Sequence, residues 1–191
     1  MKANSLTIFP KENSSDEYLW SCLKNGDRKA LDEIYYGHVP ALIAYGHQFT
    51  AKKELVDDCI QELFIDLWQK RNRLGETSSI RFYLIKSIKR RILRQIKKSD
   101  KCKAFSEFNE FFIENQMDTN ISNESEVIVS TQKLRRSFQA LSPLQRELIY
   151  LKYYNNLDCD QMKDVLDLTK KQVYNALSKA MISLRQSLVV N

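Results

Sequence analysis

The sequence predicts an all-α protein built of two small helical domains that an acidic, flexible linker joins. Only four Gly and three Pro occur in 191 residues, so turn-forming residues are scarce. Apolar residues recur every three to four positions over long stretches, which is the spacing of amphipathic helices. The chain also divides into blocks of different charge. Together these observations favour helices throughout and set two domains apart from the segment between them.

The charge blocks predict the domain boundaries. Residues 81–103 carry 10 basic side chains and one acidic one, whereas residues 104–130 carry six acidic and none basic. The second of these segments is rich in Asn, Ser and Glu, a composition typical of poorly ordered linkers. An amphipathic helix around Phe105–Ile113 is the alternative. We therefore expect a flexible N-terminus at 1–14, a first domain at 15–103, the acidic linker at 104–130 and a second domain at 131–191.

Five helices are expected in the first domain, near 15–24, 28–37, 40–50, 53–72 and 80–98. Asn25-Gly26-Asp27 separates the first two, and Asp27 is the expected N-cap of the second. Pro40 suits the first turn of the third helix, because an N–H at that position would have no helical partner. Gly75 and the Ser/Thr cluster at 77–79 end the fourth helix.

The predicted helix 53–72 has an apolar stripe and an acidic face. The stripe has helical spacing and comprises Val56, Cys59, Ile60, Leu63, Phe64, Leu67 and Trp68. On the other side Asp58, Glu62 and Asp66 follow one another at i,i+4, with Asp57 and Gln61 beside them. Like charges at this spacing repel each other, and Lys70 is expected to offset only the last of them. The face is either a solvated surface or a docking surface for a basic protein partner.

The predicted helix 80–98 has the opposite charge. Its core face comprises Ile85, Ile88, Ile92 and Ile96, and its basic face comprises Lys86, Lys89, Arg90, Arg91, Arg94, Lys97 and Lys98. No acidic residue within the helix relieves the repulsion, whereas phosphate contacts would do so and would release counterions. Nucleic acid is therefore favoured over a merely solubilising role. Arg81, Phe82 and Tyr83 place aromatic rings beside the cations, where they either stack on unpaired bases or belong to the core.

Three helix starts near the C-terminus share one capping pattern. Ser142, Asp158 and Thr169 each stand three residues before a Gln, which is the spacing of a capping box. The second and third starts leave room for a helix of about eight residues and a tight turn, and a longer helix then runs toward Leu188. A short helix, a turn and a longer helix form a helix-turn-helix. A helical bundle that does not touch DNA is the alternative.

The predicted helix-turn-helix has a small core and a polar reading face. The core comprises Met162, Val165, Leu166, Leu168, Val173 and Leu177. Asn and Gln can pair with adenine, and Lys can reach guanine or phosphate. Asp167 occupies the turn position where Gly is common, and Lys163 stands where a small residue is usual, so either its stem points outward or the helices are splayed. The reading face comprises Thr169, Lys170, Lys171, Gln172, Tyr174, Asn175, Ser178 and Lys179.

Several classes of protein are disfavoured. Four dispersed Cys without a CxxC pair and two His predict neither a disulfide framework nor a metal site, and no cofactor is expected. Apolar runs fall short of the roughly 20 residues of a membrane span, so we expect a cytoplasmic protein. Asp57, Asp58 and Glu62 could together hold Mg²⁺, but they lack a supporting Lys or His, so an enzyme is not expected.

The motifs together resemble the extracytoplasmic-function (ECF) group of the bacterial sigma-70 family of sigma factors. Asn25–Leu31 is similar to the opening of the family's promoter-melting domain, and Val56–Trp68 is similar to its polymerase-binding helix. Leu141–Glu147 and the helix-turn-helix that follows, through Lys179-Ala180 to Leu184-Arg185, resemble the domain that reads the −35 element. A DNA-binding regulator that uses the helix-turn-helix as a dimer without polymerase is the alternative.

The resemblance implies a role for each feature. The acidic face, comprising Asp57, Asp58, Gln61, Glu62 and Asp66, would dock on the clamp helices of the largest subunit of core RNA polymerase. The −10 element would be bound and opened by the Asn72–Ser79 loop and the helix after it, through Arg81, Phe82, Lys86, Lys89, Arg90, Arg94 and Lys97. The acidic linker would thread toward the active-site channel, and the reading face would contact −35 DNA. Core RNA polymerase and promoter DNA are thus the implied partners, and an anti-sigma factor is a further candidate.

Overall fold

A computed structural model describes residues 16–98, 136–138 and 140–189 of the chain. The expected N-terminus at 1–14 and the expected linker at 104–130 lie outside these residues. All regular structure within the described ranges is helical, which confirms the all-α prediction. None of the helices in these ranges is long and apolar enough to cross a membrane.

Four helices form the first half of the described chain. They are α1 (Asp16–Lys24), α2 (Arg28–Gly46), α3 (Lys53–Gln69) and α4 (Ile80–Lys98), with a 3-10 turn at Arg71–Arg73. The helices α2, α3 and α4 pack against one another, and α1 packs on α2. Their buried faces share one core that includes Trp20, Leu23, Ile34, Leu42, Tyr45, Val56, Leu63, Leu84 and Ile88.

The helix α2 corrects the prediction of separate helices at 28–37 and 40–50. It begins after Asp27, whose side chain accepts a hydrogen bond from the Lys29 amide at 2.9 Å, and it continues through Pro40. A proline inside a helix removes one backbone hydrogen bond and crowds the preceding turn. Here the apolar positions keep their helical spacing on both sides of Pro40, because Ile34 and Leu42 are both buried on the core face. Burial of this continuous face offsets the local cost.

Two further details of the first half differ from the prediction. The helix α3 ends at Gln69 rather than at residue 72, and the chain tightens into the 3-10 turn. Trp68 is only partly buried, and two guanidinium groups lie over its ring, that of Arg71 at 4.4 Å from the centroid and that of Arg28 at 5.8 Å. The other stripe residues of α3 are buried as predicted.

The second half contains α5 (Pro143–Tyr153), α6 (Cys159–Leu166) and α7 (Lys170–Val189). All three predicted capping boxes form, since the cap side chain and the Gln side chain of each start exchange hydrogen bonds with the backbone. The helix α6 has eight residues, and Asp167 ends it in the left-handed conformation with φ of 53°. These features form the predicted helix-turn-helix. The Lys163 side chain points outward, where its Nζ lies 3.3 Å from Asp160.

Gly46 gives a test of how tightly α2 packs. A Cβ atom at this position would lie 2.5 Å from Cγ1 of Val56 and 3.1 Å from Cδ1 of Ile92. Overpacking of this kind costs about 1–3 kcal/mol, so we expect Gly46→Ala to lower the free energy of unfolding by that amount in urea denaturation. Gly75→Ala is the matched control, because nothing lies within 4 Å of its Cβ position. Equal stability of the two variants would contradict the packing described here.

His38 gives a test of stability against pH. Burial and the nearby Arg81 lower the pKa of His38 from 6.5 to about 4, with Asp16 opposing them weakly. Between these pH values the unfolded chain binds the proton and the folded chain does not, so stability should fall as pH decreases. The slope for one proton reaches about 1.4 kcal/mol per pH unit. We expect His38→Gln to flatten the pH dependence of chemical denaturation between pH 6.5 and 4.5, and an unchanged slope would contradict this assignment.

Candidate protein and nucleic-acid interfaces

The acidic face of α3 lies on the surface, opposite the buried stripe of the same helix. Asp58, Gln61 and Glu62 are exposed, and Asp57 and Asp66 are half-buried. The predicted set therefore shares one side of α3. Three side chains of this set are open to a binding partner.

An arginine of α4 joins the acidic face to the basic helix. Arg91 forms an ion pair with Asp66, and its Nη1 lies 3.6 Å from Oε2 of Glu62. Lys70 pairs with Asp66 as expected, at 2.7 Å. The expectation that Lys70 offsets only the last carboxylate, Asp66, is therefore confirmed, and α4 supplies a second cation, Arg91, that sequence spacing does not reveal. Lys70 and Arg91 together lower the pKa of the Asp66 carboxyl.

The exposed cations of α4 lie along its C-terminal half. Arg90, Arg94, Lys97 and Lys98 line an open groove together with Leu93. Arg94 stands four residues after Arg90, and Lys97 and Lys98 stand three and four residues after Arg94, so the four cations share one side of the helix. Charges of one sign along a groove attract an anionic strand and lose their mutual repulsion when it binds. We call these four residues the basic stripe.

The remaining cations of α4 do not belong to the basic stripe, which corrects the prediction of one dense basic face. Lys89 is held by Glu147 of α5 at 2.9 Å. Arg91 faces α3, and Nζ of Lys86 lies 5.4 Å from the centroid of the Phe82 ring. Acidic residues of α5 and α3 thus hold Lys89 and Arg91 away from the basic stripe. Of the predicted −10 residues, Arg90, Arg94 and Lys97 are exposed, whereas Arg81, Phe82, Lys86 and Lys89 are half-buried.

The two aromatic residues at the start of α4 differ in their surroundings. Tyr83 lies edge-to-face against Trp20 with ring centroids 4.9 Å apart, so it contributes to the core. Phe82 is half-buried beside Lys86 in the first turn of α4. Tyr83 therefore fits the alternative in which the ring belongs to the core rather than stacking on an unpaired base. Phe82 lies beside a cation and is not fully buried, which is compatible with the alternative of stacking on an unpaired base.

The polar face of α7 is exposed over its first three turns. Lys171, Tyr174, Asn175, Ser178 and Lys179 are all exposed. Thr169 and Gln172 are exposed too, but they bond to each other in the capping box, with the Thr169 amide 2.8 Å from Oε1 of Gln172. The cap therefore uses part of the hydrogen-bonding capacity of Gln172.

Asp160 of α6 lies beside the polar face of α7 and was not among the residues predicted from the sequence. Its carboxylate lies 2.6 Å from Nζ of Lys170 and 3.3 Å from Nζ of Lys163. These cations lower the pKa of Asp160, and Asp160 raises the pKa of Lys170. The spacing of Asp160 and Lys163 was visible in the sequence, but Lys170 comes close only because the turn at Asp167 reverses the chain. Any anion that binds Lys170 competes with this carboxylate.

The described part of the chain offers no evident centre for catalysis by a metal ion. Within it, no group of three His, Cys, Asp or Glu side chains is arranged to hold one. Cys22, Cys59 and Cys159 are free thiols. The arrangement that the structure does offer is a set of charged surfaces suited to macromolecular partners.

The two charged helices lie in a segment that matches a known family model. Residues 34–102 match the family model for sigma-70 region 2. The matched segment begins in α2 and contains the whole of α3 and α4, so it includes both the acidic face and the basic stripe. None of the curated proteins compared with the chain matches it.

Two solved structures share the fold over most of the chain. The first is CnrH in complex with the cytosolic domain of CnrY, which is 16% identical, with coverage of 92% of this chain and 97% of that one and a TM-score of 0.59. The second is the sigma factor RpoE in complex with the anti-sigma factor NepR from Bartonella quintana. It is also 16% identical, with coverage of 86% and 97% and a TM-score of 0.54. At this identity the likeness is one of fold.

Proposed function

We propose that the chain is a sigma factor of the sigma-70 family, in its ECF group, and that its charged surfaces divide the work of starting transcription; the region 2 match and the shared fold support this proposal. Such a factor binds core RNA polymerase and directs promoter recognition, strand opening and transcription initiation. In this proposal the factor acts by binding polymerase and promoter DNA, because the polymerase forms the covalent bonds of the transcript. One observation carries the proposal. The match to sigma-70 region 2 contains both α3, whose outer face is acidic, and α4, whose outer face is basic.

The acidic face of α3 is proposed to bind core RNA polymerase. Asp58, Gln61 and Glu62 are exposed on one side of a helix whose other side is buried in the core, so they are held rigidly for a partner. Asp57 and Asp66 complete the surface at its two ends. A basic surface on the clamp helices of the largest polymerase subunit would complement these charges.

The basic stripe is proposed to bind the −10 region of the promoter. Its cations suit phosphates of duplex or opened DNA, and Phe82 at the other end of α4 suits stacking on an unpaired base. The loop Asn72–Ser79 precedes this helix, where it would help to capture a flipped base. Arg81, Lys86 and Lys89 are proposed to join the interface once promoter DNA approaches.

The helix-turn-helix is proposed to read the −35 element through the exposed face of α7. Its N-terminal turn presents backbone amides and lysines, a combination that suits a DNA phosphate. Tyr174, Asn175, Ser178 and Lys179 lie farther along the helix, where side chains can reach base edges. The full proposed set comprises Thr169, Lys170, Lys171, Gln172, Tyr174, Asn175, Ser178 and Lys179.

The proposed division of labour assigns residues 15–103 to polymerase and −10 binding and residues 131–191 to −35 binding. The acidic segment 104–130 is assigned to the path between them, toward the polymerase active-site channel. An anti-sigma factor is a further proposed partner, and the complex of RpoE with NepR supports that choice. Because core RNA polymerase acts in the cytoplasm, the proposal places the chain there.

The proposal as a whole is tested by reconstitution. The purified chain should bind core RNA polymerase in a pull-down, and the resulting holoenzyme should give run-off transcripts from promoters mapped after overexpression. Core polymerase alone is the control. Absence of stable core binding would reject the proposal, and tight binding of the free chain to palindromic DNA would favour a polymerase-independent regulator.

Charge reversal tests the acidic face independently of the other proposed interfaces. We expect Asp58→Lys with Glu62→Lys to weaken core binding by at least about a hundredfold, because like charges set against each other across an interface cost several kcal/mol. The measurement is a titration of core RNA polymerase with labelled protein. Glu33→Lys, at an exposed position of α2, is the control and should bind normally. Normal binding by the double variant would remove the acidic face from the polymerase interface.

Neutralisation tests the basic stripe. We expect Arg90→Gln with Arg94→Gln to spare core binding and to reduce promoter opening, measured by permanganate reactivity of unpaired thymines. The slope of log K against log salt should decrease by roughly 1.4 to 1.8, since each phosphate contact contributes about 0.7 to 0.9. Lys52→Gln with Lys53→Gln removes two exposed cations before and at the start of α3 and is the control. The assignment fails if the control pair gives the same defect.

A further inference from the structure

One side of α1 faces the loop that joins α3 to α4. Asp16, Trp20 and Lys24 stand four residues apart in sequence, so their side chains share one face of this helix. Each of them forms a hydrogen bond with the segment 75–80, which lies 52 to 64 residues away in sequence. These contacts join the first helix to the segment that leads into α4.

Trp20 holds the middle of the loop. Its Nε1–H donates a hydrogen bond to the Gly75 carbonyl at 2.8 Å. The Trp20 side chain is buried, and its ring lies edge-to-face against Tyr83, so the position of the indole is fixed. A buried N–H that loses its acceptor costs more than an ordinary hydrogen bond contributes. Displacement of the loop would remove this acceptor, and the buried indole therefore opposes it.

Asp16 holds the end of the loop. Its Oδ2 accepts a hydrogen bond at 2.8 Å from the amide of Ile80, which is the first residue of α4. The first amides of a helix lack partners within the helix, and the helix dipole favours a carboxylate beside them. The Ser79 hydroxyl accepts from another amide of this turn, that of Phe82, at 3.2 Å. A residue of α1 thus helps to cap α4 and fixes the point where the loop becomes helix.

The third contact is weaker. Lys24 forms an ion pair with Glu76, whose side chain is 82% exposed, and exposed pairs of this kind contribute little. The backbone of the loop is therefore held mainly at the other two points, while several of its polar side chains remain open to a binding partner. The exposed polar side chains of the loop are those of Asn72, Arg73, Glu76 and Ser78.

We propose that Asp16 and Trp20 are positioning residues that hold the loop Asn72–Ser79 ready to receive the flipped base of the −10 element. The role of the loop in base capture rests on the proposed function, whereas the hold on the loop is a property of the free chain. Asp16 and Trp20 act through the backbone of the loop and do not themselves touch DNA. The helix α1 thereby contributes to strand opening, although it carries neither the acidic face nor the basic stripe.

The hold reduces the cost of capturing a base. A loop that already has its binding conformation loses less conformational freedom when a ligand binds. A loop that occupied this conformation only part of the time would bind with an apparent affinity lowered by that fraction. Phosphate contacts along the basic stripe do not depend on the loop. Loss of either contact from α1 should therefore weaken capture of an unpaired base and leave binding of the DNA backbone unchanged.

Hydrogen exchange of the full chain tests the hold without DNA or polymerase. We expect Asp16→Ala to speed exchange in the segment 75–82 about tenfold, because the Ile80 amide loses its acceptor. Asp16→Asn should exchange at close to the wild-type rate, since its side-chain oxygen still accepts. Trp20→Phe keeps an aromatic ring, removes the N–H donor and should speed exchange in the same segment. Glu17→Ala is the matched control, because Glu17 is an exposed carboxylate in the same turn of α1.

A missing base tests the consequence for promoter DNA. Holoenzyme is titrated with single-stranded non-template oligonucleotides of a mapped promoter, in which each −10 base in turn is replaced by an abasic site. Loss of the captured base should weaken binding to the wild type about tenfold. Asp16→Ala and Trp20→Phe should bind the intact oligonucleotide less tightly and the abasic one as tightly as the wild type does. Asp16→Asn should restore the difference. A general loss of stability would not weaken binding at one base alone.

The outcomes separate the positioning role from the proposed function. Unchanged exchange in Asp16→Ala would overturn the hold, and so would an equal effect of Glu17→Ala. An abasic penalty as large in Asp16→Ala as in the wild type would overturn the positioning role.

A loss confined to one base and restored by Asp16→Asn supports the positioning role even if Trp20→Phe fails to fold. Absence of an abasic penalty at every position in the wild type would overturn base capture and the positioning role together. Lack of core binding by the wild type would reject the sigma-factor proposal, whereas slow exchange in the loop of that same protein would still support the hold.

Discussion

The packing of α3 against α4 determines where the charges of the first half point. Each helix has one apolar stripe, and the residues at its centre, Leu63 in α3 and Ile88 in α4, are almost fully or fully buried. A stripe covers only one side of a helix, so its burial leaves the other side facing water or another element. The acidic and basic surfaces therefore belong to one rigid body. Arg91 ties them at their common edge through Asp66 and Glu62.

Carboxylates of the chain itself pair with two of the lysines that are proposed to bind promoter DNA. Glu147 holds Lys89, and Asp160 holds Lys170. The two pairs differ in strength because of their surroundings. The first is almost buried, so removal of either partner would leave the other charge desolvated and unpaired. The second is about half exposed and contributes little on its own. The buried pair thus fixes the Lys89 side chain against α5, whereas the exposed pair leaves Lys170 at the surface.

Local features were predictable from sequence, and long-range ones were not. The three capping boxes form because each involves residues three positions apart, which the sequence places side by side. The break expected at Pro40 does not occur, because the buried face shared by Ile34 and Leu42 outweighs a local preference. Trp68 was expected in the core, but its outer face lies against arginines from two other segments. In each of these two errors, tertiary packing overrode a pattern read along one helix.

The same distinction applies to the candidate interfaces. The sequence by itself determined the all-α class, the helix-turn-helix, and which side of α3 is acidic, since periodicity and capping are short-range properties. Only the tertiary structure decided which cations of α4 remain free. Lys89 and Arg91 are two residues apart, yet they lie against different helices whose acidic residues are distant in sequence. A charge interacts with whatever packing brings near it, and that distance is fixed only when the helices assemble.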